Sequence, residues 1–130
     1  MRNNREKNYE KWLKKAREDE LSIKAILKEG GAPSTACFLS QQMAEKYLKG
    51  LLVFYNKKFH KIHDLIELET LLSDLAPDIQ NFHRELTILN RYYIETRYPG
   101  DYPEFTWSEA QKVFKSAEKI KKFVLEKIEK

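Results

Sequence analysis

The sequence predicts an all-α protein that folds as a single-domain, up-and-down bundle of four to five helices. Apolar residues recur at spacings of three and four in several long segments, whereas no stretch shows the sustained alternation of a strand. The chain has 130 residues, of which 42% are hydrophobic and 34% are charged. This is enough for one hydrophobic core and is typical of a folded protein rather than a disordered one.

Turn and cap residues divide the chain into segments. Residues 1–8 are polar and charged and predict a flexible N-terminus, followed by a helical bundle over residues 9–130. A glycine pair at 30–31, Pro77 and the segment 97–105, with its two prolines, interrupt the helical pattern. The helices are predicted over residues 9–28, 33–55, 65–75, 78–96 and 108–128.

The first helix carries Trp12, Ala16 and Ile23 on one apolar face. Asp19 lies on the same line of the helix surface. Because a buried carboxylate needs a partner, we expect Asp19 at the edge of this face, paired with a lysine or arginine of a neighbouring helix.

The second helix is patterned on two faces. An apolar stripe, typical of a buried face, consists of Cys37, Ala44, Leu48, Leu51 and Tyr55. A separate polar stripe consists of Gln42, Glu45 and Lys49, with Gln41 on the shoulder between the two. Two interpretations stay open. The polar stripe binds a ligand or a partner, or it is a solvated or interface face held by local pairs such as Gln42–Lys46 and Glu45–Lys49.

The later helices carry recognisable start signals. The third helix is predicted to begin at residue 63 or 64, with inward positions Leu65, Leu68, Leu72 and Leu75. Asp78 is predicted to cap the fourth helix, which places Tyr93 on its inner face. Thr106 and Glu109 form the pattern of a capping box at the start of the last helix.

Composition excludes several classes of protein. A single cysteine, Cys37, rules out an internal disulfide and a cysteine-based zinc site. The sequence has neither a glycine-rich phosphate loop nor a G-x-S-x-G motif. Its apolar runs fall short of the ~20 residues of a membrane span, and no apolar segment follows the basic N-terminus. We therefore expect a cytoplasmic protein with no membrane partner. The net charge of +4 permits an anionic partner.

Two clusters carry candidate chemistry. His60 and His63 have the spacing of two metal ligands on a helix, but they lie at a loop-to-helix junction beside Asp64 alone. We therefore predict no metal and no cofactor, and assign Asp64 to the helix start. The second cluster, at the end of the fourth helix, consists of Arg91, Tyr92, Tyr93, Arg97 and Tyr98. Arginine and tyrosine together can hold a phosphate and stack a base, although a cation at a helix C-terminus also has an ordinary structural role.

Four motifs follow one another along the chain. They are Trp12-x-x-x-Ala16 with Asp19, Cys37-Phe38-x-x-Gln41-Gln42-x-Ala44-Glu45-Lys46-x-Leu48-Lys49, His63-Asp64-Leu65 and Tyr92-Tyr93-x-x-x-Arg97-Tyr98-Pro99. In this order they resemble the HEPN domain family, the "higher eukaryotes and prokaryotes nucleotide-binding" helical bundles, over roughly residues 9–126. The strings are specific together, whereas each alone would be weak.

The resemblance implies a small helical bundle that forms a homodimer and works beside a minimal nucleotidyltransferase in a toxin–antitoxin arrangement. The residues that we predict to bind a nucleotide or an RNA phosphate are Arg97, Tyr98, Tyr92, Lys46 and Lys49. Those predicted to form a polar or dimer-interface face are Gln41, Gln42, Glu45, His63 and Asp64.

Some members of that family are metal-independent ribonucleases, in which an arginine is followed after four to six residues by a histidine. In that motif the arginine would hold the phosphate and the histidine would act as general base. This chain departs from the motif, because Tyr102, Pro103 and Glu104 occupy the positions after Arg97 where the histidine would stand. Tyr102 is a poor base because its unperturbed pKa is near 10. We therefore predict a binding protein without an assigned catalytic residue. The alternatives are a ribonuclease with a degenerate active site and a protein-interaction or antitoxin module.

Overall fold

The computed structural model describes residues 4–93 and 105–129, and this part of the chain is helical with no strand. The helices are α1 (Asn4–Glu29), α2 (Pro33–Phe54), α3 (Leu65–Leu72), α4 (His83–Asn90) and α5 (Trp107–Glu129), with a 3₁₀ helix (Pro77–Phe82) before α4. The predicted all-α, single-domain bundle is confirmed. The first helix begins at Asn4 rather than at Tyr9, and the flexibility of residues 1–8 stays a prediction.

The second helix is the centre of the fold, because α2 packs against α1, α3, α4 and α5. Most residues of both predicted stripes are buried, whereas Tyr55 of the apolar stripe and Gln42 of the polar stripe are half-buried. Ala44, Leu48 and Leu51 on the apolar stripe are fully buried, and Glu45 and Lys49 on the polar stripe are each 4% exposed. A helix covered on all sides is normally apolar all round, so the buried polar stripe of α2 requires its own partners.

The third and fourth helices are shorter than predicted, and Asp78 does not cap α4, because it lies within the preceding 3₁₀ helix. Helix α3 ends at Leu72 rather than Leu75, and Leu75 is 38% exposed instead of facing the core. Helix α4 ends at Asn90, and residues 94–96 of the predicted helix lie outside the described residues. The prediction for Tyr93 was wrong for the same reason. Once the helix ends at Asn90, the helical spacing no longer applies, so Tyr92 is buried at 7% exposure and Tyr93 is only half-buried.

The start of α5 confirms one half of the predicted capping box. The Thr106 hydroxyl accepts a hydrogen bond from the backbone N–H of Glu109 at 3.0 Å. The Glu109 carboxylate accepts a hydrogen bond from the Tyr92 hydroxyl, which joins the turn after α4 to α5. Phe105 packs edge-on against the same ring, with 5.5 Å between the ring centroids.

Two buried tyrosines provide a matched test of what hydrogen bonds contribute to this core. The Tyr47 hydroxyl is buried and has no hydrogen-bond partner in the described part of the chain, whereas that of Tyr92 is bonded to Glu109. We expect Tyr47→Phe to leave the free energy of unfolding within about 0.5 kcal/mol of the wild type at pH 7, and Tyr92→Phe to lower it by about 1.5 kcal/mol. Urea denaturation of both variants measures the difference, and an equal loss in the two would contradict it.

The pH dependence gives a second readout for Tyr47. Burial raises the pKa of Tyr47 to about 12, from an ordinary value of 10. Because the pKa is higher in the folded state than in the unfolded chain, its contribution to the free energy of unfolding is fully present below pH 10. This contribution is lost as the pH rises towards 12. We therefore expect the wild type to lose stability relative to Tyr47→Phe between these two pH values.

Candidate functional site

The polar stripe of α2 packs against the junction that leads into α3, and its centre is the Glu45 carboxylate. Its Oε2 atom accepts a hydrogen bond from Lys49 Nζ at 2.9 Å and lies 3.2 Å from His63 Nδ1. Its Oε1 atom accepts from Gln41 Nε2 at 3.3 Å. Three polar partners therefore surround one buried carboxylate, which offsets the cost of removing its charge from water.

His63 connects this buried cluster to the surface. Because a carboxylate only accepts hydrogen bonds, the contact with Glu45 places an imidazole proton on Nδ1. The ring stacks on Tyr93, with 4.8 Å between the centroids and 16° between the planes. The His63 side chain is 37% exposed, and Nε2 has no hydrogen-bond partner within residues 4–93 and 105–129. The imidazole is thus held on two sides and has one nitrogen available to a ligand.

The two glutamines form a chain of amides between the cluster and the surface. Gln41 is fully buried, and its Nε2 also donates to the backbone carbonyl of His63 at 3.3 Å. Gln42 is half-buried and donates to Gln41 Oε1 at 2.6 Å. The direction in which these glutamines face, which the sequence left open, is therefore towards the junction before α3.

The backbone of that junction is fixed by Asp64 and Asn90. Asp64 Oδ1 accepts from the backbone N–H of Ile66 at 2.9 Å and from Asn90 Nδ2 at 3.0 Å. Asn90 Oδ1 accepts from the backbone N–H of Leu65 at 2.9 Å. The predicted role of Asp64 at the start of α3 is confirmed, and the end of α4 is tied to the same point.

The two lysines predicted to bind phosphate are both engaged in ion pairs. Lys49 is buried, pairs with Glu45, and has its Nζ 5.5 Å from the centre of the Trp12 ring. Lys46 Nζ lies 2.7 Å from Asp19 Oδ2, which confirms the expected lysine partner of Asp19 on a neighbouring helix. The predicted Glu45–Lys49 pair is therefore present, while Lys46 pairs with Asp19 rather than Gln42. Phosphate binding by these lysines stays a prediction.

The Asp19–Lys46 pair yields a pH prediction. Burial raises the pKa of Asp19 above its ordinary value of 3.8, even though Lys46 acts in the opposite direction. The wild type should therefore be most stable relative to Asp19→Asn below about pH 4, and should lose that advantage as the pH rises through the raised folded-state pKa. Urea denaturation of both proteins between pH 3.5 and 7, at steps of about 0.5 unit, measures this. A wild type that gains on the variant with rising pH would contradict the expectation.

The structure brings together the five residues of the predicted polar face. They are Gln41, Gln42, Glu45, His63 and Asp64. Tyr92 is directed instead towards α5 through its bond to Glu109. Arg97 and Tyr98 lie outside the described residues, so their predicted role is carried forward as a proposal.

Sequence reasoning did not place Tyr93 or Asn90 in this cluster. The His63–Glu45 contact spans 18 positions and the Asn90–Asp64 contact spans 26, so no local spacing indicates either. An asparagine at a helix end facing an aspartate at a helix start was the available signal, because both residue types commonly cap helices.

The described residues contain no group of three or more histidines, cysteines, aspartates or glutamates that would hold a metal ion. Among the helices of residues 4–93 and 105–129, none combines the length and the apolar character that crossing a membrane requires.

Comparison with known proteins agrees with this architecture. Residues 9–128 match the HEPN domain family. Among solved structures, the chain is similar to the crystal structure of an archaeal HEPN homologue, with a TM-score of 0.74 and 32% sequence identity. That similarity covers 92% of this chain and 97% of the other. No curated protein matches the chain.

Proposed function

The chain belongs to the HEPN domain family, and from this premise we propose that it binds a nucleotide or an RNA phosphate at the surface of the Glu45–His63 cluster. A single observation carries the proposal. The His63 imidazole is held by a buried carboxylate at Nδ1, stacked on Tyr93, and without a partner at Nε2 in the described part of the chain. A fixed imidazole can donate to a phosphate oxygen when it is protonated, and a partly exposed tyrosine ring can stack a base.

The ion pairs indicate which residues of the proposed site contact the phosphate and which support them. Lys46 and Lys49 are neutralised by Asp19 and Glu45, so they support the site rather than contribute free positive charge. Arg97 follows Tyr93 by four positions in the sequence and is the arginine that we assign to the phosphate. Tyr98 and Tyr92 belong to the same proposed cluster, and the hydrogen bond of Tyr92 to Glu109 suits it to a supporting role.

We further propose that the protein forms a homodimer and works with a minimal nucleotidyltransferase as a toxin–antitoxin pair. The family membership supports this proposal. Light scattering on the purified chain tests the dimer, and co-purification with a nucleotidyltransferase encoded beside it tests the partner. A monodisperse monomer that binds no such partner would contradict both parts.

Binding is tested with a fluorescently labelled RNA oligonucleotide and with ATP as the nucleotide. We expect His63→Ala and Arg97→Ala each to weaken binding about tenfold, because each removes one charge-assisted contact to phosphate. Fluorescence anisotropy for the RNA and calorimetry for ATP give the dissociation constants.

The matched controls are two histidines outside the cluster, His60 and His83, each replaced by alanine. We expect both control variants to bind as the wild type does. If the wild-type protein binds neither ligand, or if all four variants bind equally, the proposed function is wrong.

The same observation favours a second candidate, a metal-independent ribonuclease in which His63 takes the role of general base. A carboxylate on Nδ1 fixes the tautomer that leaves Nε2 able to accept a proton, here from the ribose 2′-hydroxyl. The 2′-oxygen would then attack the adjacent phosphorus, and the departing 5′-oxygen would take a proton from water.

Cleavage in the presence of a metal chelator tests this candidate. We expect His63→Gln to abolish cleavage while RNA binding persists, and a substrate with a 2′-deoxy sugar at the cleaved position to stay intact. Intact RNA at high protein concentration would leave the binding function standing and exclude the ribonuclease.

A further inference from the structure

A second polar site lies away from the Glu45–His63 cluster, in a shallow groove of about 440 Å³ between α3 and the 3₁₀ helix. Its lining residues are Ile66, Glu69, Thr70, Ser73, Gln80 and His83. Of these residues, Ile66 contacts the polar face described above, through its backbone N–H to Asp64, and no side chain of the groove bonds to Glu45 or His63. The groove therefore needs its own explanation.

Glu69 differs from the other buried glutamates of the described residues. Glu20 is paired with Lys121 at 2.8 Å and Glu45 with Lys49 at 2.9 Å, so each has a permanently charged partner. Among the described residues, the Glu69 carboxylate has only the imidazole of His83 as a partner, whose Nδ1 lies 2.8 Å from Oε1. The Glu69 side chain is 8% exposed and the His83 side chain 61%, so the partner stands at the rim in water. A buried carboxylate without a fixed cation favours one from outside.

The hydroxyl groups beside Glu69 are oriented as acceptors. Thr70 Oγ1 donates its proton to the backbone carbonyl of Ile66 at 3.1 Å, and Ser73 Oγ donates to that of Glu69 at 2.9 Å. Because each hydroxyl has one proton and two lone pairs, both oxygens face a ligand only as acceptors. Together with the carboxylate, they form a set of acceptors along one side of α3.

We propose that this groove receives the guanidinium group of an arginine side chain from a partner protein. A guanidinium carries five N–H donors in one plane, which suits several acceptors spread along a helix, whereas an ammonium concentrates its donors at one point. Its weakly hydrated faces also tolerate the apolar side chain of Ile66 in the lining. This inference does not rest on the proposed nucleotide or RNA function.

Binding of a guanidinium group is tested by adding ethylguanidinium to the full chain and monitoring the NMR signals of the backbone amides of Thr70 and Ser73. We expect saturable binding with a dissociation constant of about 1–10 mM, as befits a ligand of so few atoms. Ethylurea, a neutral planar analogue, should not bind. Glu69→Gln should weaken binding at least about tenfold, because the charged acceptor is removed. Glu67→Gln, which removes an exposed carboxylate from the same helix, should bind as the wild type does.

The identity of the group that binds in the groove is tested by comparing the affinity of N-acetyl-arginine-methylamide with that of spermidine. Tighter binding of the arginine compound supports a protein side chain, and tighter binding of spermidine overturns that assignment. Absence of saturable binding, or equal binding by wild type and Glu69→Gln, overturns the site itself. A melting temperature of Glu69→Gln equal to that of the wild type shows that the comparison is made between folded proteins.

Discussion

Replacement of Lys49 by methionine should lower the free energy of unfolding by about 3 kcal/mol, a change of roughly 150-fold in the unfolding equilibrium. The reason is that the Glu45 carboxylate stays in the core without its cation. Lys49 is 6% exposed at its side chain and Glu45 is 5% exposed, so loss of the ammonium leaves a carboxylate buried with only Gln41 and the His63 imidazole as partners. Methionine fills a similar volume, so the loss reports charge rather than packing.

The matched control is Lys46→Met, which also removes a lysine ammonium group, one turn earlier on α2. Lys46 and Asp19 are 24% and 14% exposed, so water screens the residual charge better, and we expect a loss of about 1 kcal/mol. Urea denaturation at pH 7 compares the two variants.

The double variant Glu45→Gln, Lys49→Met should recover at least half of the loss, because it leaves no charge unpaired in the core. If the free energy of unfolding of the single variant Lys49→Met lies within about 1 kcal/mol of the wild-type value, Gln41 and His63 alone are enough to stabilise the buried Glu45 carboxylate.

Helix periodicity predicted the fold and the two faces of α2. The apolar stripe of Ala44, Leu48 and Leu51 is fully buried, as its spacing indicated. The polar stripe was recognised but its environment was not, because burial of Glu45 depends on a junction 18 positions later in the chain. Periodicity describes one helix at a time, whereas burial of a polar face requires knowledge of what packs against it.

Helix ends were the least predictable feature. No proline or glycine stands between Asn90 and Thr96, so Asn90 itself was the one weak signal in the sequence that α4 ends there. The amide of Asn90 bonds to Leu65 and Asp64, and these tertiary contacts hold the end of α4. That early end exchanges the environments of Tyr92 and Tyr93, and so brings Tyr93 to His63.

The sequence predicted the five polar-face residues of the candidate site and the Glu45–Lys49 pair, but not Tyr93, Asn90 or the contacts between helices. The expectation that Asp19 pairs with a cation of another helix followed from burial alone, while the identity of Lys46 needed the fold. Lys46 and Lys49 were predicted to bind phosphate without regard to these ion pairs, because the sequence does not show that Lys46 pairs with Asp19 and Lys49 with Glu45.

Gly50→Val should also be strongly destabilising, by about 2–3 kcal/mol, since it adds volume where two helices meet without space. A Cβ atom at Gly50 would stand 3.2 Å from Trp12 Cβ and 3.2 Å from Leu13 Cδ2, both on α1. Trp12 Cβ is attached directly to the α1 backbone, so relief of the contact requires α1 to move. Ala25→Val, at an exposed position of α1, is the control and should cost only a few tenths of a kcal/mol in helix propensity.

The substitution at Gly50 should reach the candidate site as well. The Trp12 ring lies over Lys49 Nζ at 5.5 Å, so a shift of α1 exposes the ammonium and loosens its hold on Glu45. We therefore expect Gly50→Val to weaken RNA binding under conditions where the variant is still folded, whereas Ala25→Val should not. Equal stability of the two variants by urea denaturation would show that α1 and α2 can separate at Gly50 without cost. In that case the close approach of these helices does not hold Trp12 in place, and the Glu45–His63 cluster does not depend on the position of α1 at Gly50.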